Sequence, residues 1–530
     1  MAPTQVMCKP SSTISSLKLK DTTLYGGGHG RVITISMFPP ARPSWSLDDL
    51  STELLALVLT HLRDLDARSL ANVRLLSRRF DAIVTPIKYE YLRLTERILA
   101  PGPTLALPYA LQNVYRYTHH VEVASDLDPV GIRQLLGGVQ RLLSVRWKYV
   151  RGEFCRGGMY VPSDILSRHH LDHNKTKLYV DDLPLRDFGS EPEDTYLRAI
   201  PTDILTSLKM GNPTPPLTTR LESLKQLLLH SRRLETFHYV DRGQGTRLEF
   251  ASGERLPAFQ ELVLQSYDWN HTAQDVAEHW DFSRLRLLKL VDVPIFEFLR
   301  SVPFAHLLDL EELHCEDFSA HLPDRRRQAT EGLSVLCRQI RALQSLKITC
   351  HTEYFPVDAL LRHSKSLEIL CFRDHVGFGE EYRGCPTVWI EDLVRLSRGL
   401  VYLHTLELDM DITMCDPPLF LRALCGFSRL HTLTLHVQTV INTLEDLPPD
   451  TDRDYEAAMK TFSTLIRGKQ GAPWRSITIN VGGWRRHLVR RLDAGWRALN
   501  EQGIYAERCF VLERNVDGQM MVREETAIEG

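Results

Sequence analysis

The sequence predicts an α/β fold: an irregular solenoid of strand–helix units, with a parallel sheet plus helices, preceded by a small group of three helices. Three observations predict it. A phrase with apolar residues at its first, fourth and sixth positions recurs along the chain, amphipathic stretches separate its copies, and a leucine-rich helical stretch occupies residues 50–80.

The recurring phrase predicts short strands, because apolar side chains at the fourth and sixth positions share one face of an extended chain. Successive copies begin between 24 and 44 residues apart, the spacing expected of a solenoid. Nine copies begin at Leu234, Phe259, Leu285, Leu310, Leu343, Leu367, Leu403, Leu430 and Trp474. Weaker copies begin at Tyr89 and Leu142, with further ones near Val121 and Leu178.

The stretches between the copies predict helices. Residues 329–343 have apolar side chains at helical spacing, and Pro356 opens another stretch where a first-turn proline belongs. A unit of this size cannot close its own core, so neighbours stack and their strands form one parallel sheet. The alternative is a doubly wound α/β domain. The longer gaps, 181–216, 317–329 and 444–456, are charged and are expected to be loops.

The stretch before the repeats predicts three short helices. The first has a wide apolar stripe, and Ser51 can cap its first amides. The second runs from Asp64 or Asp66 to Val73, and a third follows. Three short helices cannot bury so much leucine by themselves. The stripe therefore packs either on the rest of this chain, as an N-terminal cap, or on a partner; it consists of Leu54, Leu55, Val58, Leu59 and Leu62.

This stretch resembles an F-box, with Leu50, Glu53, Leu54, Leu55, Val58, Leu59, Leu62, Leu65, Leu70, Val73, Arg78 and Phe80 where that family has them. Ser51 stands in place of the family's proline, and Ser77 in place of a common cysteine. The resemblance implies binding to a Skp-type adaptor and through it to a cullin-RING ligase. The implied contact residues are Leu50, Leu54, Leu55, Val58, Leu59, Leu62, Leu65, Leu70, Val73 and Leu76.

The repeating units resemble a leucine-rich repeat, although the asparagine expected after the third apolar residue is mostly missing. Together, the two resemblances imply a non-catalytic substrate receptor of an SCF-type ubiquitin ligase. The alternatives are a repeat scaffold without a ubiquitin role and a mitochondrial protein with a cleaved leader. The expected organisation is a disordered segment at 1–43, the F-box at 44–88, the solenoid with loop insertions at 89–505, and a hairpin cap and tail at 506–530.

The composition gives no positive evidence for another functional class. The net charge of −3 gives no case for nucleic acid or an anionic membrane, and no apolar run is long enough to span a bilayer. The ten cysteines form no CxxC pair and are expected to be reduced, in the cytoplasm or nucleus. No enzyme motif and no cofactor site are found. His169, His170 and His173 lack a third ligand, so no metal is expected.

Near the carboxyl terminus, a helix with Arg485, Arg486, Arg490, Arg491 and Arg497 is expected to have a solvated basic face, and Asp517–Gly518 predicts a hairpin.

The substrate is expected on the sheet face formed by the third, fifth and seventh positions of each phrase, because the fourth and sixth point into the core. We expect this face to be concave and solvated, with strand-edge loops as the rival site. A basic or mixed-charge substrate segment would lie along its acids, with Arg373 setting the register. The candidate residues are His238, Glu312, His314, Glu316, Arg373, Glu407, Asp409 and His436.

Overall fold

The computed structural model describes residues 47–100, 108–150, 162–166, 176–183, 195–211, 221–241, 246–316, 325–374, 384–437, 452–481, 508–515 and 518–525. The predictions for residues 1–43, for His169, His170 and His173, and for the arginine-rich helix at 485–497 lie outside these ranges. No helix within them is long and apolar enough to cross a membrane.

The chain divides into two compact units, Met1–Val58 and Leu59–Gly530. The described part of the first unit contains a short 3-10 helix, Leu47–Asp49, and the start of helix α1, Thr52–Leu65. The Ser51 hydroxyl accepts a hydrogen bond from the Leu54 amide, which confirms the predicted capping residue.

The second unit begins with the rest of α1, followed by helices α2, Ala67–Val73, and α3, Arg78–Tyr89. Asp66 caps α2 by accepting from the Arg68 amide, and Ser77 caps α3 by accepting from the Phe80 amide. The three predicted helices are therefore present.

Within the described ranges, a single sheet of sixteen strands follows. Its strands are β1 Tyr91–Arg93, β2 His120–Ala124, β3 Ser144–Lys148, β4 Lys177–Leu183, β5 Leu205–Met210, β6 Thr236–Val240, β7 Glu261–Gln265, β8 Leu287–Val291, β9 Glu312–Glu316, β10 Ser345–Cys350, β11 Ile369–Asp374, β12 Thr405–Met410, β13 Thr432–Val437, β14 Ser476–Val481, β15 Arg508–Arg514 and β16 Met520–Glu525.

Thirteen more helices are described between these strands. They are α4 Glu96–Leu99, α5 Pro108–Tyr117, α6 Pro129–Gly138, α7 Pro162–Ile165, α8 Thr195–Ala199, α9 Leu221–His230, α10 Ala273–His279, α11 Ile295–Ser301, α12 Arg326–Gln339, α13 Asp358–Leu361, α14 Ile390–Gly399, α15 Pro417–Cys425 and α16 Arg453–Gly468.

The strands are ordered in the sheet as they are in the sequence, and β1 to β14 are parallel. A doubly wound sheet reverses its strand order at a switch point, so that alternative is wrong. Strands β15 and β16 form an antiparallel hairpin that continues the sheet from β14, which confirms the predicted hairpin at the last repeat.

Strand β5 lies within the stretch predicted to be a loop. That prediction is wrong for residues 181–183, which end β4, and for residues 195–199 and 205–210, which form α8 and β5. The loop predictions for 317–329 and 444–456 are also wrong at residues 326–329 and 453–456, which begin α12 and α16. Leu205, Leu208 and Met210 satisfy the phrase and are buried, so the signal was present in the sequence. The acidic and proline-rich residues on both sides of this stretch favoured the loop prediction.

The core of the second unit lies between the sheet and its helices. Residues at the fourth and sixth positions are buried in strand after strand, for example Leu288 and Leu290 in β8. Helices contribute their apolar faces to the same core, as Leu333 and Leu336 of α12 do. The alternation in each strand therefore leaves the other positions on a second, polar face.

Candidate interaction surfaces

Helix α1 exposes part of its apolar surface. In the first unit, Leu54 and Leu57 keep 53% and 59% of their surface exposed and Val58 is also exposed, whereas Leu55 is fully buried. Residues three and four apart are neighbours on a helix, so the three exposed side chains lie close together. The single stripe predicted from the sequence is thus divided into buried and exposed residues.

The second unit has its own exposed leucines. Leu65 ends α1, and Leu75 lies in the turn between α2 and α3; each is 85% exposed. Leu76, in the same turn, is also exposed. By contrast, Leu59 and Leu70 are buried. This unit therefore keeps both an apolar interior and apolar side chains in water.

The ten residues predicted to contact an adaptor fall into three groups. The exposed ones are Leu54, Val58, Leu65 and Leu76. The half-buried ones are Leu50, Leu62 and Val73. The buried ones, for which contact with an adaptor stays a prediction, are Leu55, Leu59 and Leu70. Sequence reasoning missed Leu57 and Leu75, although the spacing of Leu57 from Leu54 was a signal for the first.

Within the second unit, the end of α1 is tied to the first strand. Arg63 Nη1 lies 2.7 Å from Glu90 Oε2, and its guanidinium lies 4.7 Å from the centre of the Tyr91 ring. That ring stacks on His120, the first residue of β2, with ring centres 4.5 Å apart. The residues that follow Val58 are therefore continuous with the sheet through packed side chains.

The strand register aligns the predicted substrate-binding positions. The seventh positions of five successive strands, β9 to β13, form one row across the sheet: Glu316, Thr349, Arg373, Asp409 and His436. Their neighbours at the sixth position are buried in the core, which confirms the predicted alternation. We call the face that carries this row the polar face.

The polar face is less solvated than predicted. Glu312 is exposed, and His238, His314, Glu316 and Glu407 are half-buried. In contrast, Arg373, Asp409 and His436 are buried, with Asp409 only 4% exposed. The prediction of a solvated face is therefore wrong for these three residues.

Arg373 and Asp409 form a buried ion pair. Oδ1 of Asp409 accepts hydrogen bonds from Nη2 of Arg373 at 2.8 Å and from Nε at 3.1 Å, while Oδ2 accepts from the Asp374 amide at 2.8 Å. Burial opposes the charge of Arg373, but the Asp409 carboxylate outweighs it and raises the pKa of the guanidinium. The guanidinium of Arg373 therefore stays charged inside the protein, beside the Asp409 carboxyl group.

Glu407 and His436 form the adjacent pair. His436 Nε2 lies 2.7 Å from Glu407 Oε1, and its Nδ1 lies 3.4 Å from the Asn480 amide nitrogen, so Nδ1 accepts and Nε2 carries the proton. Burial lowers the pKa of His436. Burial would raise the pKa of Glu407, but the hydrogen bond from His436 and the nearby Arg373 outweigh it, and this pKa falls to about 2.

Two segments at the carboxyl ends of β11 and β12 are joined by Asp411. Its carboxylate accepts hydrogen bonds from the Cys385 amide at 2.7 Å and from the Thr413 amide at 2.8 Å. Its own amide donates to the Thr387 hydroxyl at 2.9 Å. The alternation of apolar and polar residues along a strand does not predict a hydrogen-bonded connection between two loops.

Asp374, the last residue of β11, is a second buried carboxyl beside this connection. Its Oδ2 accepts hydrogen bonds from the amide and the hydroxyl of Thr352, each at 2.8 Å. Burial is the main influence on this group and raises the pKa of Asp374 to about 7. This carboxyl therefore titrates near neutral pH.

The remaining candidates lie on the middle strands. His314 Nε2 lies 2.6 Å from Glu316 Oε1, and His238 Nε2 lies 2.5 Å from Glu261 Oε1. Burial would raise the pKa of Glu316, but the hydrogen bond from His314 outweighs it, and the pKa is lowered. Most acids of the polar face are thus partnered within the sheet. Among the residues that the structure describes, Glu312 has no ion pair and is the candidate most open to an external partner.

Three of the described cysteines lie in environments that hold their thiols protonated. Burial raises the pKa of Cys337 to about 12 and also raises the pKa of Cys371 and Cys385, which keeps these thiols protonated and unreactive. No group of three or more His, Cys, Asp or Glu residues within the described ranges is arranged to hold a metal ion.

Comparison with known families and with curated sequences identifies no relative. No family model matches this chain. No curated protein sequence matches it either. Its function must therefore be argued from the two surfaces, the exposed leucines of the N-terminal helices and the polar face.

Proposed function

We propose that this chain is a non-catalytic substrate-recognition subunit of an SCF-type ubiquitin ligase, in the cytoplasm or nucleus. Residues 44–88 would act as an F-box that binds a Skp-type adaptor, and residues 89–505 would form a leucine-rich-repeat-like solenoid that binds a substrate protein. The proposal rests on the F-box resemblance together with the exposed leucines.

The exposed leucines carry the proposal. Among the described residues of segment 44–88, seven large apolar residues are exposed: Leu47, Leu54, Leu57 and Val58 in the first unit, and Leu65, Leu75 and Leu76 in the second. Full burial of a leucine side chain contributes about 1.5 to 3 kcal/mol, so covering the exposed part of each contributes about 1 to 2 kcal/mol. Apolar residues that lie close together in water typically mark a protein-binding surface, as Leu54, Leu57 and Val58 do on α1.

The proposed role needs no catalytic residue in this chain. A receptor that holds its substrate beside a ubiquitin-conjugating enzyme raises the local concentration of the two reactants. Within the second unit, the link from Arg63 to Glu90 and Tyr91 supports this role, because it ties the end of α1 to the first strand.

The same link favours one alternative, a repeat scaffold in which the N-terminal helices only cap the sheet. Helix α3 leads directly into β1, and the Thr118 hydroxyl donates to the Tyr89 carbonyl at 2.8 Å. A cap of this kind needs the buried residues Leu59, Leu70 and Phe80. It gives no role to the exposed leucines, so replacing those residues distinguishes the two functions.

The test is co-purification of the full chain with a Skp-type adaptor. The variant Leu54→Asp with Leu57→Asp places two carboxylates on the exposed face of α1, where an adaptor interface would leave them desolvated and unpaired. The matched control is Val335→Asp, an exposed apolar position on α12.

The wild type and the control are expected to recover the adaptor, and the double variant is expected to lose it while staying soluble. Equal recovery by the double variant would show that this face does not bind the adaptor. Failure of the folded wild type to recover any adaptor would favour the scaffold.

A further inference from the structure

A second apolar surface, which we call the strand-end surface, lies at the carboxyl ends of β11 and β12. Residues 384–389 follow the first of these strands and residues 411–416 follow the second, and the buried carboxylate of Asp411 holds the two segments together. Met414 and Cys415 donate their amides to the Asp411 carbonyl, which fixes the second segment as a tight turn. The backbone of this surface is therefore held by hydrogen bonds at several points.

Large apolar side chains project from these segments into solvent. Trp389, the residue before α14, is 70% exposed, and Ile412 and Met414 are also exposed. Leu419, in the first turn of α15, adds a fourth exposed apolar side chain. Tryptophan is among the residues that contribute most at protein interfaces, and methionine adapts to partners of different shape.

Acids predominate in the two segments that carry these side chains. Residues 384–394 and 411–421 contain four acids and no lysine, arginine or histidine. Glu391 and Asp416 are exposed, while Asp411 is buried. Asp392 is paired with Arg395 at 2.9 Å. The exposed apolar side chains are therefore accompanied by negative charge.

We propose that this surface binds a protein segment that is rich in lysine and arginine and carries an aromatic or long aliphatic anchor. The anchor would pack on Trp389 and Met414, and the basic residues would face Glu391 and Asp416. An anionic membrane or a nucleic acid would be repelled by the same acids. The inference rests on the proposed function, in which this segment would belong to the substrate.

The site differs from the row predicted on the polar face. Arg373 and Asp409 of that row are buried and paired with each other, so neither offers a free charge at the surface. The strand-end surface has both the exposed apolar side chains and the exposed acids that a basic, anchor-bearing segment needs.

Fluorescence anisotropy with three labelled peptides tests the inference on the full chain. The first peptide is basic with a phenylalanine–leucine pair, the second has the same basic residues with serine in place of the pair, and the third has the pair among acidic residues. The first is expected to bind most tightly. Its affinity is expected to fall with added salt, because exposed charges are screened.

Two variants locate the binding. Trp389→Ser is expected to weaken binding of the first peptide by about tenfold or more, the loss typical of an interface hot spot. Glu391→Gln with Asp416→Asn is expected to make the affinity for the first peptide less dependent on salt. Asparagine retains a side-chain oxygen that can cap α15 as Asp416 does through the Leu419 amide. Tyr109→Ser, at an exposed aromatic residue of α5, is the control and is expected to bind as the wild type does.

Unchanged binding by folded Trp389→Ser overturns the inference, as does equal or tighter binding of the acidic peptide. Absence of binding by the first peptide to the wild type overturns it as well. Adaptor capture is measured on the same preparations. If the wild type captures the adaptor but does not bind the first peptide, only this inference is wrong. If the wild type does not capture the adaptor, the proposed function is wrong.

Discussion

Replacing Asp409 by asparagine removes the charge that faces Arg373 inside the protein. Asp409 is 4% exposed and accepts two hydrogen bonds from the guanidinium and one from the Asp374 amide. Removing one partner of a buried ion pair typically costs about 3 to 5 kcal/mol, because the other charge stays desolvated. The asparagine oxygen keeps one hydrogen bond and Glu407 remains near Arg373, so we expect a loss of about 2 to 4 kcal/mol.

Two comparison variants separate the ion pair from other effects. Glu312→Gln changes an exposed acid on the same face and is expected to alter stability by less than about 0.5 kcal/mol. Arg373→Met with Asp409→Asn leaves no buried charge at the pair and lets the amide oxygen accept from Asp374. This double variant is expected to lie within about 1 kcal/mol of the wild type.

Hydrogen exchange of the amides in β11, β12 and β13 is the suitable assay, because stacked units can open locally and a global unfolding temperature averages over them. The opening free energy of these strands is expected to fall in Asp409→Asn and to recover in the double variant. The reasoning is refuted if Asp409→Asn protects these amides as well as Glu312→Gln does, or if the double variant is less protected than the single one.

Three further predictions concern other residues. Leu55→Asp is expected to reduce soluble yield and thermal stability because Leu55 is fully buried, whereas Leu54→Asp at the exposed neighbour should change the unfolding temperature little. Burial raises the folded-state pKa of Asp374 to about 7, so its contribution to stability is fully present below pH ~4 and is lost as the pH rises to about 7. Asp374→Asn should therefore be more stable than the wild type at pH 8. In a denaturant titration, the difference between the two midpoints should vanish near pH ~4. Gly471 has φ +80°, and an added Cβ would collide with the Ser428 carbonyl, so Gly471→Ala should lower the unfolding free energy by about 1 to 3 kcal/mol in a denaturant titration.

The repeating strands could be predicted because their signal is local. Leu288 and Leu290, or Leu433 and Leu435, are two residues apart and face the same core, so alternation alone identifies the strand and its buried side. Strand β5 meets the same rule, but the acidic and proline-rich residues around Leu205 outweighed it in the prediction.

The burial of individual side chains by other parts of the chain could not be predicted. Alternation correctly places Arg373, Asp409 and His436 on the polar face, but their burial depends on residues distant in the sequence. The same limit applies at α1, where the apolar stripe was too wide for periodicity to separate buried Leu55 from exposed Leu54. Trp389 went unnoticed because a single aromatic residue between elements has no period.

The sequential strand order has a consequence for how such a protein could change over evolutionary time. Each strand pairs only with its predecessor and its successor, so stability is close to a sum of terms between neighbours. A substitution on β2 shares no partner with the ion pair on β11 and β12, and effects at such separate sites usually add. Selection could therefore alter one stretch of the sheet for a new ligand while leaving the others intact, which allows a single chain to acquire specificities one unit at a time.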